Sequence, residues 1–310
     1  MTTRAPILVV GSMAFDDLEL PTGHARDVVG GSATYSSLAA SCFAPVRVVA
    51  VVGDDFPKAM LETMQGRNID TSGIERATGQ TFRWAGRYDA DLVHRVTLAT
   101  HLNVFASFQP RIPESYRDSP YVLLGNIHPA LQLDVLNQIR APKLVVADTM
   151  NFWISGEPQT LAEMLKRIDT LVINDEEARQ LSGTYNIRRA AYEILRRGPK
   201  RLIIKRGEHG ALLFDEFGIF AAPGYPLEDV VDPTGAGDSF AGGLLGYLAG
   251  QPEISEYTFR RAMIHATAAA SFCVEAVGTS RISRITQSDI AGRVNLVRML
   301  YDFGASTMML

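Results

Sequence analysis

The chain begins with a short apolar run, Ile7-Leu8-Val9-Val10, and runs of the same kind return along most of its length. Val46 to Val52 (V-R-V-V-A-V-V), Tyr121 to Leu124, Lys143 to Ala147, Thr170 to Ile173 and Arg201 to Lys205 are short, rich in β-branched residues and bounded by polar turns. Runs without a polar face predict strands buried on both sides. Helical segments lie between them. One opens after Gly30-Gly31 and carries Ala33, Leu38, Ala39 and Ala40; others fall near 57–66, 129–139, 157–168, 175–182 and 186–197. Strands alternating with helices predict βαβ crossovers and a mostly parallel sheet covered on both faces. From Ala236 to about residue 300 the pattern is helical, with an Ala-rich stretch at 261–276.

One region departs from this order. Between Ile69 and Phe108 polar and apolar residues alternate, as in Phe82-Arg83-Trp84-Ala85-Gly86-Arg87-Tyr88 and then Leu92 to Ala99. Alternation of that kind predicts antiparallel strands with one solvated face. They are expected to form a small accessory sheet with part of residues 12–30, outside the central sheet. No internal repeat, low-complexity tract or flexible linker interrupts the chain, so 1–310 is expected to be one domain with this small sheet attached.

Composition then removes whole classes of function. The 310 residues carry 30 Lys+Arg against 34 Asp+Glu, a formal charge of −4, which leaves no electrostatic footprint for DNA or RNA. No apolar run approaches the roughly 18–20 residues of a membrane span, and the apolar stretch after the first few residues is too short for a secretory signal. A cytoplasmic protein is expected. Cys42 and Cys273 lie far apart in helical, Ala/Ser-rich segments and read as buried free thiols in a reducing compartment.

The chemistry is concentrated in Asp232-Pro-Thr234-Gly235-Ala236-Gly237-Asp238-Ser-Phe240. A glycine-rich turn opens here directly into an apolar helix. Unpaired N–H groups and the macrodipole at a helix start favour an anion, and Gly235 and Gly237 let successive N–H groups curl toward one phosphate. Asp238 would repel that anion unless it has a task there, such as taking a proton from an attacking hydroxyl. The plainer reading is a helix start in which Asp238 only favours the dipole. The Walker A pattern is absent, and G-x-G-x-x-G fails where its third glycine should stand, so a hydride-transferring dinucleotide enzyme is disfavoured.

Asp232-Pro-Thr-Gly-Ala-Gly-Asp238 resembles the D-[TP]-x-G-A-G-D signature of the ribokinase/PfkB carbohydrate kinase family, which includes sugar kinases and adenosine-type nucleoside kinases. Other landmarks follow in family order over nearly the whole chain. They are Asp16 after Gly11-Ser12, the Gly30-Gly31 pair opening a helix, Asn174-Asp-Glu-Glu177 for an N-x-x-E motif, and Lys205-Arg-Gly207-Glu-His-Gly210. The resemblance implies a ribokinase-like three-layer α/β/α sandwich with a β-sheet lid formed from parts of 12–30 and 69–108. It implies an ATP-dependent kinase transferring the γ-phosphate to a primary hydroxyl of a small sugar or ribonucleoside.

By the same resemblance Asp238 is the base, and the N–H groups of Gly235, Ala236 and Gly237 form the anion hole. Asn174 and Glu177 organise Mg²⁺, although the pair also fits a helix capping box. Lys205, Gly207 and Thr234 fall on the nucleotide side, with His265 and Ala269 near the adenine. Asp232, with the turn Ala276-Val277-Gly278-Thr279, matches loops that hold a monovalent cation such as K⁺ in many members. Asp16, Gly30, Gly31, Tyr35 and Asn103 fall on the acceptor side, where Tyr35 replaces an Asn usual in ribokinase- and adenosine-kinase-like sequences. Phe82, Trp84 and Tyr88 could stack on a base, cover a sugar or pack the lid. An Arg83–Arg87 pair facing the acceptor would favour a sugar phosphate. Lids of this family often pair into homodimers. A non-catalytic relative that kept the fold is the competing reading, opposed by the intact Asp238, anion-hole glycines and Asn174/Glu177.

Overall fold

The computed structural model describes residues 4–302; Met1 to Thr3, part of the reading against a secretory signal, lie outside the described residues. In chain order, β1 (Ile7–Val10) leads into a hairpin, β2 (Ala14–Leu20) and β3 (Gly23–Gly30), then α1 (Ser32–Ala40), β4 (Val46–Val52), α2 (Lys58–Gly66) and β5 (Ile69–Arg76). A second hairpin follows, β6 (Phe82–Tyr88) and β7 (Arg95–His101). The strand–helix order resumes with β8 (Tyr121–Leu124), α3 (Pro129–Gln138), β9 (Leu144–Asp148), α4 (Asn151–Gly156), α5 (Pro158–Leu165), β10 (Thr170–Asn174), α6 (Asp175–Ser182), α7 (Ile187–Leu195) and β11 (Arg201–Lys205). An antiparallel pair, β12 (Ala211–Asp215) and β13 (Gly218–Ala222), precedes α8 (Ala236–Ala249), α9 (Glu256–Cys273) and α10 (Gln287–Tyr301).

Nine strands form one sheet in the order β13-β12-β11-β10-β9-β8-β1-β4-β5. Every pairing from β11 across to β5 is parallel, and only β12 and β13 run against their neighbours. Successive residues of the central strands enter opposite layers. Ile7 and Val9 of β1 join the apolar cluster containing α1, α8 and α9, whereas Leu8 and Val10 join the one containing α3, α5 and α7. Both layers exclude water, which is why β1 and β8 are apolar at every position.

A second sheet of four strands has the order β3-β2-β6-β7. It realises the small sheet expected from 12–30 and 69–108, with two corrections. Residues 69–76 belong to the central sheet: β5 pairs in parallel with β4 after the α2 crossover. Its alternating burial is that of an edge strand, with Ile69 turned into the core. Within the small sheet, β2 and β6 are parallel, because α1, β4, α2 and β5 intervene between them and no hairpin joins them. The β12–β13 pair was not legible as strands in the sequence.

Candidate active site

Parallel register brings the chemistry of distant segments to one edge. Asn174 ends β10 opposite Lys205, which ends β11, and Asp148 ends the neighbouring β9. Open α/β sheets bind ligands at these carboxyl ends. Lys205 Nζ lies 3.9 Å from Asp148 Oδ2, with both side chains largely buried. Gln132 braces this edge by donating to the carbonyls of Gly125 (2.9 Å) and Asp148 (3.0 Å).

The start of α8 faces the same edge. Gly235 is its N-cap, with φ 77° and ψ 0°, a left-handed conformation that side-chain-bearing residues adopt only under strain. Space forbids a side chain there as well: a Cβ on Gly235 would lie 2.4 Å from the Tyr35 ring, which is packed flat beneath it. A Cβ on Gly237 would lie 2.6 Å from Lys205 Nζ, so the ammonium rests over the first turn of the helix. Ala236 donates its N–H to Pro233 O at 3.2 Å. Of the three amides expected to form an anion hole, those of Gly235 and Gly237 therefore have no partner among the described residues.

Asp232 holds this turn from below. Its buried carboxylate accepts the N–H of Thr234 (2.9 Å) and of Gly278 (2.8 Å), joining two loops that are distant in sequence. Cys273 donates its thiol to Thr234 O at 3.4 Å, and Ser36 Oγ donates to Asp238 O at 3.1 Å. Both cysteines are free and buried, as expected.

Three carboxylates surround this edge, and burial, joined for Asp238 and Glu177 by the charge of Asp148, shifts them upward. Burial, then the charge of Asp148, pushes the Asp238 carboxyl up to about 7, against the pull of Lys205 and Arg95. Asp148 and Glu177 rise for the same first reason, burial. Glu177 is also the capping partner of α6: Asn174 N–H donates to its Oε2 (2.8 Å), and its own N–H donates to Asn174 Oδ1 (2.7 Å). The capping-box reading of this motif is thus realised, and it leaves Glu177 facing Asp148 and Lys205. Lys205 is held above its ordinary value although burial alone would lower it, because Asp148, Glu177 and Asp238 outweigh that effect.

On the acceptor side Asp16 is 4% exposed and its carboxyl has no hydrogen-bond partner among the described residues. Burial, with Asp232 and Asp238 adding to it, raises Asp16 to about 8. Gly30 gives it room, since a Cβ there would sit 2.0 Å from Asp16 Oδ2. Gly31 is the N-cap of α1, which docks through reciprocal bonds between Ser12 and Ser32 (both N···Oγ 3.1 Å). The Tyr35 hydroxyl is buried without a partner among the described residues.

Other predicted residues lie elsewhere. Ala269 is fully buried where α9 crosses Gly243 of α8, and His265 stacks on Tyr247 near the far end of α8; the structure brings neither to the carboxylate edge. Gly207 begins the turn after Lys205. Asn103 donates to Thr81 O at the base of the small sheet (2.8 Å). Arg83 and Arg87 pair with Asp27 and Glu19. Phe82 stacks on Phe105, Trp84 lies over Gly86, and Tyr88 reaches Thr234. Two residues escaped the sequence reading. Asp148 was signalled only by a carboxylate at the end of an apolar strand. Arg95, opposite Tyr88 in the β6–β7 hairpin, senses the charges of Glu177 and Asp238 across the gap between the sheets.

A helix start with free amides, a lysine resting on it and a carboxylate in its first turn offer the donors and charges that suit a phosphoryl group, and they sit on a ribokinase-like fold. A profile of the pfkB family carbohydrate kinase matches residues 4–286. The chain belongs to this family and is a sugar or nucleoside kinase. It is 32% identical over 252 residues, 79% of this chain and 90% of the relative, to cytidine kinase of Thermococcus kodakarensis. Among solved structures it resembles ribokinase of Thermotoga maritima (TM-score 0.75, 22% identity, 94% of this chain and 99% of that one). It also resembles a Burkholderia thailandensis nucleoside kinase in complex with inosine (TM-score 0.75, 20% identity, 95% and 97%). No helix among the described residues is long and apolar enough to cross a membrane.

Proposed function

We propose that the chain transfers the γ-phosphate of ATP to a primary hydroxyl of an uncharged ribonucleoside. The observation that carries the reading is a pair of carboxyls near the α8 start, buried Asp16 and half-buried Asp238. Asp16, with no partner of its own, is available to the hydroxyls of an acceptor. Asp238 takes the proton of the attacking hydroxyl, and the amides of Gly235 and Gly237, with Ala236 between them, receive the transferred phosphoryl group. Lys205, over Gly237, neutralises phosphate charge. The small sheet acts as a lid over these groups and excludes water.

Asp148, Glu177 and Asp238 against Lys205 and Arg95 give this edge more carboxylates than cations and a set of hard oxygen donors. That donor set fits Mg²⁺, which keeps several waters and needs few protein ligands; among the described residues no group of three metal-binding side chains is gathered. Glu177, with Asp148, would hold the hydrated ion, and Asn174 fixes Glu177. Bound there, the metal supplies charge neutralisation to the phosphates. A monovalent cation such as K⁺ is assigned to the loops joined by Asp232, with that carboxylate as counter-charge. The enzyme would work in the cytoplasm.

The uncharged acceptor follows from the lid arginines. Arg83 and Arg87 are already matched by Asp27 and Glu19, so they do not form the basic pair that a sugar phosphate would require. An aromatic group beyond β8 and β9 suits a base: Trp153 lies 4.8 Å from His128 and from the exposed Phe152, between ring centroids. The cytidine kinase relative points the same way. ADP release with Mg·ATP over cytidine, inosine, ribose and 2-dehydro-3-deoxygluconate tests the reading. A nucleoside should lead by at least about tenfold in kcat/KM, a modest discrimination for one binding pocket. Asp238→Asn should lower kcat by about 10²–10⁴-fold. A preference for a sugar acid would overturn the acceptor assignment, and an undiminished Asp238→Asn would overturn the base.

A further inference from the structure

The far end of the β6–β7 hairpin is fastened to the loop that carries the anion hole. Tyr88, the last residue of β6, is 6% exposed, and its hydroxyl lies 3.1 Å from Thr234 Oγ1, 146 residues away. Its ring packs in an apolar cluster with Leu18 and Leu20 of β2, flanked by Leu92 and by Val277 of the turn after α9. That turn meets the small sheet a second time. A Cβ on Gly278 would lie 2.2 Å from Val28 Cγ1 of β3. Asp232 ties Gly278 to Thr234 through its two carboxylate oxygens. Thr234 is thus held at three points: its N–H by Asp232, its carbonyl by Cys273 and its hydroxyl by Tyr88. The next peptide supplies the N–H of Gly235.

We propose that Tyr88 is a positioning residue, whose hydroxyl fastens the lid to Thr234 and thereby holds the Thr234–Gly235 peptide in register for phosphoryl transfer. The inference rests on the reading of Gly235 and Gly237 as the anion hole. A tyrosine that covered the acceptor would present its hydroxyl or ring to the open site; this one turns both into protein. Docking of the hairpin and alignment of the anion hole are then one event, so the site is complete only with the lid in place. Arg95, opposite Tyr88 in the hairpin, arrives by the same movement.

Hydrogen–deuterium exchange on the intact protein, without ligands, tests the fastening by itself. Thr234→Val should speed exchange across residues 82–101, and Tyr88→Phe should speed it across 232–238. Thr234→Ser, which keeps the hydroxyl, should do neither. Kinetics with Mg·ATP and cytidine test the consequence. Tyr88→Phe and Thr234→Val should each lower kcat by about three- to tenfold, the range of one hydrogen bond, with KM for cytidine within about twofold. Because the Tyr88 hydroxyl also bonds Arg95, the double variant should lose no more than Tyr88→Phe alone, as partners in one interaction do. A raised KM with kcat intact would make Tyr88 an acceptor contact and overturn the proposal. So would exchange at each segment that ignores the substitution at the other, or kinetic losses that multiply. Gly235→Ala separates the two levels: if it leaves kcat unchanged, the anion-hole reading has failed, whereas exchange still decides the fastening.

Discussion

Asp16→Asn offers a test of the acceptor site that needs no acceptor. The Asp16 carboxyl rises from an ordinary 3.8 to about 8 because it is buried beside Asp232 and Asp238. Between those values the folded protein keeps a proton that the unfolded chain has lost, so stability must fall as pH rises from about 4 through about 8. The slope is at most about 1.4 kcal/mol per pH unit, and the whole fall is capped near 6 kcal/mol. Asp232 and Asp238 remain in the variant and keep part of the pH dependence. Asp16→Asn is therefore expected to remove about 2–4 kcal/mol of the loss between pH 5.5 and 8.5. For a chain of this size that is roughly 4–8 °C in Tm. Thermal unfolding of both ligand-free proteins across this range gives the answer. The variant should match or trail the wild type at pH 5.5 and exceed it at pH 8.5. Parallel pH profiles, or a variant less stable at pH 8.5, would refute the argument that this carboxyl waits buried and unpaired for a ligand. In the same variant KM for the acceptor should rise by up to about tenfold, because the carboxyl's hydrogen bonds to the acceptor hydroxyls are weakened.

Two further outcomes check other parts of the reading. Glu177→Gln keeps an oxygen that can accept the Asn174 N–H, so Tm should change little, while the Mg²⁺ concentration for half-maximal activity should rise by about tenfold; unchanged metal dependence would remove Glu177 from the metal site. On the outer face of the lid edge, Val96 and Leu98 of β7 are 55% and 42% exposed, an apolar strand edge of the kind that recruits a partner. Sedimentation velocity at micromolar concentration should show a homodimer and Leu98→Lys a monomer, and a monomeric wild type would refute pairing through the lid.

What the sequence displayed, and what it hid, follows from the range over which each feature is encoded. The buried strands were legible because a parallel strand covered on both faces must be apolar throughout, as Ile7 to Val10 and Tyr121 to Leu124 are. The α8 start was legible because its glycines, its carboxylate and its helix lie within a few consecutive residues. Residues 69–76 were misplaced because an edge strand of a parallel sheet has one wet face, and so alternates just as an antiparallel strand does. Asn174 and Glu177 stood out in the sequence, but a capping box and a charged site share the same spacing, and only the register with Lys205 sets the capping pair beside other charges.

Charge assembled across strands left almost no trace in the pattern. Asp148 is one carboxylate at the end of one strand until the β9–β10–β11 register sets it beside Lys205 and near Asp238. Its presence then changes what Asp238 is. A carboxylate alone at a helix start would be ionised well below neutral pH and would oppose an incoming phosphate at all times. Burial, with Asp148 nearby, pushes the same group up to about 7, the range that would suit the proposed base at neutral pH. Lys205 and Arg95 pull the other way, and Arg95 is carried on the lid. On the proposed reading, docking the hairpin would bring a cation toward the base as it fastens Thr234, so the same closed arrangement would favour both the ionisation of Asp238 and the alignment of the amides beside it.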